Sequence, residues 1–431
     1  MMVDNQRQIE FIYSIFKQFP SIQTDTRKLQ KGDIYFALKG TNFNGNQFAL
    51  QALELGAAYA IVDESISEEN NQIIKVDNAL LTLQQLAKYH RQQLNIPVIA
   101  ITGSNGKTTT KELVSVVLSS HFTTYTTQGN LNNHIGVPLT ILQIKTNAQI
   151  AVVEMGANHQ KEIEGYCLYT LPTHGLITNC GKAHLEGFGG VEGVKKGKGE
   201  LYDFIRANDG CIFINGDYDY LQLMSRGINK RVVYSTHDGD IVGNIIAEDP
   251  FLIVSIKDNA DLSAINTQLV GGYNLPNVLA AVAIGNYFKI PFSKIKSAIE
   301  SYVPSNSRSQ LIKAGSNNII VDAYNANPSS MKLAIENFAK IDAPQKIVLI
   351  GGMKELGEDS IEEHQAIINL INNYTWYKVV LVGNDFDKVI HSYQYFETSL
   401  LAKDWFVKQQ FSDAYILIKG SRSIQMEKII E

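Results

Sequence analysis

Residues Ile96–Glu112 read I-P-V-I-A-I-T-G-S-N-G-K-T-T-T-K-E. Ile96 to Thr102 is an apolar run with β-branched residues, bounded by Pro97 and Gly103, which predicts a buried strand. Gly103-Ser104-Asn105-Gly106-Lys107-Thr108 then turns sharply, and Leu113, Val116 and Val117 recur at helical spacing beyond it. Strand, glycine loop and helix in that order form the setting a phosphate-binding loop requires. The loop N–H groups and the positive end of the helix dipole face the anion. Lys107 is then the residue that reaches the outer phosphates, and the Thr108 hydroxyl is a ligand for Mg²⁺. The common form of this loop has a glycine five positions before Gly106; Ile101 stands there instead.

Working outward, 431 residues suggest about three domains at roughly 100–200 residues each. A hydrophobic share of 45% with 19% charged residues supports sizeable cores. The net charge of −5 leaves no basic tail, so no nucleic-acid partner is expected. Cys167, Cys180 and Cys211 form no C-x-x-C pair and no disulfide ladder, which points to a reducing compartment. The opening M-M-V-D-N-Q-R-Q lacks the charged-then-apolar layout of a signal peptide. No apolar run approaches the ~18 residues of a membrane span. A cytoplasmic monomer is the expectation.

Residues 1–95 read as a small α/β unit: an opening helix carrying Ile9, Ile12, Ile15 and Phe16, a strand Ile34 to Leu38, a helix Phe48 to Gly56 and a strand Ala58 to Val62. Asp25-Thr26-Arg27 lies ahead of the first strand and suits a phosphate or sugar, or simply a solvated turn with a local Asp–Arg pair. Residues 96–305 read as the nucleotide unit. Ile150 to Val153 is a strand, and Glu154 follows at its carboxyl end, where ligands gather in doubly wound sheets. His184 likewise follows the strand Leu176 to Thr178, as a ligand or as a structural histidine. Val194-Lys195-Lys196-Gly197-Lys198-Gly199-Glu200-Leu201-Tyr202 begins a helical pattern whose plainest reading is a solvated face. Short strands are expected over 210–270. Asn274 and Asn277 open the helix Val278 to Phe288, placed to cap it or to read a base. Residues 306–431 alternate strands (Ile319–Val321, Lys346–Ile350, Val379–Val382, Tyr415–Ile418) with helices (Ser330–Phe338, Glu362–Ile371), which argues for a parallel sheet. No G-x-G-x-x-G occurs, so a dinucleotide site has little support.

Taken together, I-T-G-S-N-G-K-T-T-T-K-E, G-N-L-N-N-H-I-G-V-P-L-T, V-E-M-G-A-N-H, A-H-L-E-G-F-G, K-G-K-G-E-L-Y, Y-N-A-N-P-S-S-M and K-G-S-R-S-I-Q-M-E resemble the Mur ligases of peptidoglycan synthesis. Their order and wording are similar to the members that add D-alanyl-D-alanine to UDP-N-acetylmuramoyl-tripeptide, and the resemblance runs from about Asp25 to Met426. It implies an α/β protein of three domains. Residues 1–95 would bind the UDP-sugar peptide, 96–305 a P-loop sheet would bind ATP, and 306–431, a Rossmann-like domain, would take the incoming dipeptide.

The resemblance also assigns residues. Gly103, Ser104, Asn105, Gly106, Lys107, Thr108 and Thr109 would wrap the ATP phosphates. Thr108, Glu154, His184 and Lys198 would hold Mg²⁺, Lys198 as a carbamate with Tyr202 four residues on. Asn274 and Asn277 would lie near the adenine, and Arg308 at the join to the third domain. Asp322, Tyr324, Asn325 and Asn327 would close over the nucleotide, Asn327 also meeting substrate. Asp25, Thr26 and Arg27 would meet the nucleotide sugar, with Thr where the family has Ser. Tyr273 stands where the family commonly has His.

The implied chemistry suits these residue types. A carboxylate is a poor acyl donor, and the γ-phosphate of ATP converts it to an acyl phosphate that an amine then attacks. Charge builds on phosphate oxygens, so Lys107, Lys198, His184 and Glu154 would serve by position and electrostatics. Other readings share the loop: a different Mur-type ligase, a folylpolyglutamate synthase-like ligase, a P-loop kinase or a nucleotide-gated binding module.

Overall fold

The computed structural model describes residues 2–67, 70–305 and 307–431. Asn306, the first residue of the expected third segment, lies outside the described residues. Contacts group the chain into two compact units. One holds residues 1–100, 122–156 and 162–174; the other holds 101–121, 157–161 and 175–431.

In the first unit a four-stranded parallel sheet runs in the order Ile22–Gln23, Ile34–Phe36, Tyr59–Val62, Ile73–Lys75. The strand expected over Ile34 to Leu38 stops at Phe36, because the chain turns back there: Leu38 N donates to Phe36 O, and Gly45 N to Leu38 O. Two elements go beyond the sequence expectation, the strand Ile73–Lys75 and the helix Ala79–Gln92. The helix is capped by Asn78, whose side chain accepts from Leu81 N. Its Arg91, 6% exposed, donates to four carbonyls, those of Thr170, Leu94, Ile96 and Leu171. A buried cation is tolerable only when its donors are filled in this way. The strand Ile150–Glu154 pairs in parallel with Thr124–Thr126 and is buried throughout, Glu154 being its last residue.

In the second unit, Cys211–Asn215, Lys230–Ser235 and Ile241–Ala247 run parallel. Phe251–Ile256 and Ile265–Val270 extend them antiparallel. A separate six-stranded sheet takes the order Gln310–Ala314, Asn317–Asp322, Tyr415–Lys419, Lys346–Gly351, Lys378–Val382, Gln394–Phe396. All its neighbours are parallel except the first pair, so the expected parallel sheet carries one antiparallel edge strand. Side chains alternate strictly across it. Ile320, Val348, Ile350, Leu381 and Leu417 pack under the helices Pro328–Lys340 and Ser360–Ile371. Ile319, Val321, Ile347, Leu349, Val380, Ile416 and Ile418 pack on the other face with Ala402, Met426 and Ile429. Burial on both faces explains why these strands read as unbroken apolar runs.

The helix carrying the lysine-glycine run is Val191–Ala207, starting earlier than the sequence suggested. It corrects the expectation of a solvated face: Gly197, Lys198, Leu201 and Tyr202 are buried. Gly197 is required because a Cβ there would overlap the Phe188 ring.

Candidate functional site

The strand Val98–Thr102 ends at Gly103, and the helix Lys107–Ser119 begins four residues later. Gly103 (φ 143) and Gly106 (φ 79) take conformations that side chains disfavour. The loop between them is held from outside. Ser104 N donates to Asn179 O at 2.9 Å, and Asn105 N to Asn179 Oδ1 at 3.0 Å. Thr178 Oγ1 donates to Asn105 O at 2.6 Å, and Ser104 Oγ to Gly181 O at 2.9 Å. Lys107 Nζ donates to Gly103 O and Ser104 O, at 2.7 and 3.1 Å, so the ammonium is folded over the loop. Thr108 is buried and Thr109 half-buried in the first helical turn, beside the helix's N–H groups.

Asn274 and Asn277 sit against this loop, but their amides serve the protein. Asn277 Oδ1 accepts from Thr110 Oγ1 at 3.0 Å, and Asn277 Nδ2 donates to Asn274 Oδ1 at 2.9 Å. Asn274 Nδ2 donates to Val270 O at 2.9 Å. Asn274 occupies the N-cap of Leu275–Tyr287 without a side-chain capping bond. The pair therefore ties that helix to the phosphate-loop helix.

Asn327 reaches the loop from the six-stranded sheet. Its amide oxygen caps Pro328–Lys340 through Ser330 N at 2.9 Å, and its Nδ2 donates to Asn105 Oδ1 at 2.8 Å. Asn325 is exposed and accepts from Ala326 N. Asp322 accepts from Lys419 Nζ at 2.5 Å and from Ser309 N at 3.2 Å. Tyr273 hydrogen-bonds Ser309 Oγ at 2.9 Å, and burial pushes its phenol well above the ordinary range. Arg308 lies between Ser307 and Ser309, both at positive φ. Its guanidinium stacks on Tyr324 at 3.6 Å.

His184 (φ 53) heads the short helix Leu185–Phe188, and its Nδ1 contacts Glu355 Oε2. The imidazole beside it holds the Glu355 carboxyl below its usual range. Lys198, 1% exposed, donates to Ala157 O at 3.0 Å and lies 4.8 Å from the centre of the Phe188 ring. Burial drives the nearby Cys180 thiol up to about 12, against the pull of Lys198.

The first unit carries the remaining candidates. Glu154, 1% exposed, accepts from Asn132 Nδ2 at 2.7 Å. Asp25 accepts from Arg27 Nε and an Arg27 terminal nitrogen at 2.9 and 2.8 Å, which holds its carboxyl down at about 2. Arg27 is largely exposed, and Thr26 follows Asp25 in the same short turn.

Glu355, Lys419, Ser309, Thr178 and Asn179 were not among the sequence candidates. Thr178 and Asn179 follow a strand end, a signal that was available. Glu355 had none, for a glutamate in an M-K-E-L-G loop reads as surface.

The donor set can be weighed against Mg²⁺, which takes oxygen ligands and commonly shares them with phosphate. Among the described residues no group of three or more His, Cys, Asp or Glu could hold a metal. Thr108 in the second unit and Glu154 in the first each offer a buried oxygen of the kind such an ion takes. A lysine ammonium does not; Lys198 fits only with its charge reversed, as a carbamate.

Family models match three consecutive stretches: the Mur ligase family catalytic domain over residues 18–92, the Mur ligase middle domain over 101–285, and the Mur ligase glutamate ligase domain over 307–422. The UDP-N-acetylmuramoyl-tripeptide–D-alanyl-D-alanine ligase of Bacillus subtilis is 34% identical over 95% of this chain and 92% of its own. A crystal structure of MurF from Acinetobacter baumannii superposes with a TM-score of 0.86 at 30% identity, over 95% of this chain and 92% of that one. The MurF ligase of Thermotoga maritima in complex with ADP gives a TM-score of 0.83 at 25% identity, over 95% and 96%.

Proposed function

This chain belongs to the Mur ligase family, and we propose that it joins D-alanyl-D-alanine to UDP-N-acetylmuramoyl-tripeptide, splitting ATP to ADP and phosphate. The observation that carries the reading is a strand–loop–helix phosphate cradle, met from the six-stranded sheet by Asn327 on Asn105, in a chain similar along nearly its whole length to ligases of that name. In this reading residues 1–95 hold the UDP-sugar peptide, 96–305 hold ATP, and 306–431 hold the dipeptide. The enzyme works as a cytoplasmic monomer in building the cell wall, and so in growth and division.

The residues take roles that their chemistry supports. The N–H groups of Gly103 to Thr109 and the Lys107 ammonium bind the phosphates. Lys107 lifts from the loop carbonyls of Gly103 and Ser104 onto the anion as it arrives, exchanging neutral acceptors for a charged one. Asn274 and Asn277 fix the helix against the loop. Arg308, flattened on Tyr324, and Asp322, held by Lys419, flank the nucleotide with Asn325. Asp25, Thr26, Arg27 and Asn327 meet substrate. Thr108, Glu154, His184 and a carbamylated Lys198 would hold Mg²⁺, which when bound neutralises phosphate charge as the tripeptide carboxylate attacks. The protein's own share is to hold carboxylate, phosphate and amine in line and away from water.

The test is a product assay by mass, with ATP, D-alanyl-D-alanine and UDP-muramoyl tripeptides ending in lysine or in diaminopimelate. The reading expects one amide product heavier by the dipeptide, with one phosphate released per product. A stable phosphorylated product would identify a kinase instead, and no turnover a binding module.

A further inference from the structure

His184 and Glu355 meet in the second unit, each in the left-handed region, at φ 53 and φ 61. Neither is a glycine, and such conformations persist only where the surroundings impose them. Here two loops impose them on each other. Gly357 (φ 59) lies so close to the His184 loop that an added Cβ would sit 3.3 Å from Glu186 Cβ. Lys182 Nζ pairs with Glu363 at 2.5 Å, and Lys182 N donates to Ser329 Oγ at 3.0 Å. The Glu355 carboxylate is thus carried onto one ring nitrogen of His184 by the loop that leaves the strand Lys346–Gly351.

We propose that Glu355 is a positioning residue for His184. By accepting the Nδ1–H, its carboxylate fixes the tautomer and plane of the imidazole and leaves the Nε2 lone pair to the divalent cation. A second carboxylate behind a ligating histidine commonly has this effect. The C-terminal sheet then contributes to the metal site by setting a ligand it does not itself supply. The inference rests on the proposed role of His184, and its test separates the two.

The experiment measures kcat, KM for ATP and for D-alanyl-D-alanine, and Mn²⁺ affinity by electron paramagnetic resonance with a non-hydrolysable ATP analogue. The full-length variants are Glu355→Ala, Glu355→Gln, His184→Ala, the double alanine variant and Lys182→Ala. The Glu355 side chain is 53% exposed, so truncation opens no core. Glu355→Ala is expected to lower both kcat and Mn²⁺ affinity by about 10–100-fold, with both KM values within about threefold. Glu355→Gln, which keeps an acceptor oxygen, recovers most of the loss, and the double variant is no worse than His184→Ala. Lys182→Ala, which loosens the same loops but keeps the Glu355 and His184 side chains, is expected to lower kcat and Mn²⁺ affinity far less than Glu355→Ala does.

If His184→Ala abolishes Mn²⁺ binding while Glu355→Ala changes nothing, the inference falls and the role of His184 stands. If His184→Ala is itself silent, that role falls and takes the inference with it. A loss in Lys182→Ala equal to that in Glu355→Ala would assign both residues to loop docking and overturn the proposal.

Discussion

Replacing Gly103 with alanine tests the phosphate loop at its tightest point. Gly103 sits at φ 143, and a Cβ there would overlap Thr178 Oγ1 and come within 3.1 Å of Asn179 N and O. The backbone conformation costs a side-chain-bearing residue about 1–3 kcal/mol. To clear the overlap Thr178 must rotate and give up its 2.6 Å bond to Asn105 O. Asn105 O keeps its 3.0 Å bond from Asn179 Nδ2, so losing the Thr178 bond costs about 0.5–1.5 kcal/mol more. The lower bounds sum to about 1.5 kcal/mol, or roughly tenfold in kcat/KM for ATP. A coupled assay of ADP release, with saturating tripeptide and dipeptide, reads this directly. Gly103→Ala/Thr178→Ala removes the obstructing hydroxyl together with its bond to Asn105 O, so it should be no worse than the single variant. Wild-type kcat/KM in Gly103→Ala would refute the reasoning, for the loop would then have room that the structure denies it.

Lys107→Met should lower kcat by about 10²–10³-fold, since one preorganised charge on the transferring phosphoryl group is lost; kcat within twofold of wild type would contradict the phosphate-cradle reading. Lys198→Ala should lose most activity and regain part of it with short carboxylic acids, which replace the carbamate's oxygens; full activity without them would remove the carbamate. Burial lowers the pKa of His174 from 6.5 to about 4, so the native state resists its protonation while the unfolded chain accepts a proton near 6.5. Its stabilising contribution is present above pH 6.5 and is lost as pH falls towards 4, by up to about 3 kcal/mol. Thermal melts of His174→Gln against pH should accordingly show a shallower acid limb, and an unchanged slope would count against this.

Much of this was legible because the chain's periodicities are clean. The strands Lys346–Gly351 and Tyr415–Lys419 are buried on both faces, and their unbroken apolar runs say so. The loop 103–108 announces itself because glycine at positive φ, lysine and threonine follow a strand. What stayed hidden depends on pairs distant in sequence. Lys198 reads as solvated because its helix is rich in lysine, yet it is buried, with the Phe188 ring that packs at Gly197 lying against it. Asn274 and Asn277 looked free to read a base, and the structure uses their amides on Val270 and Thr110. Glu355 acquires its meaning only when the fold sets it on His184.

The most direct measurement follows oxygen. With ¹⁸O in the terminal carboxyl of the tripeptide substrate, an acyl-phosphate route transfers one labelled oxygen to the orthophosphate for each amide formed. Label retained wholly in the peptide, with unlabelled phosphate released at the same rate, would contradict it.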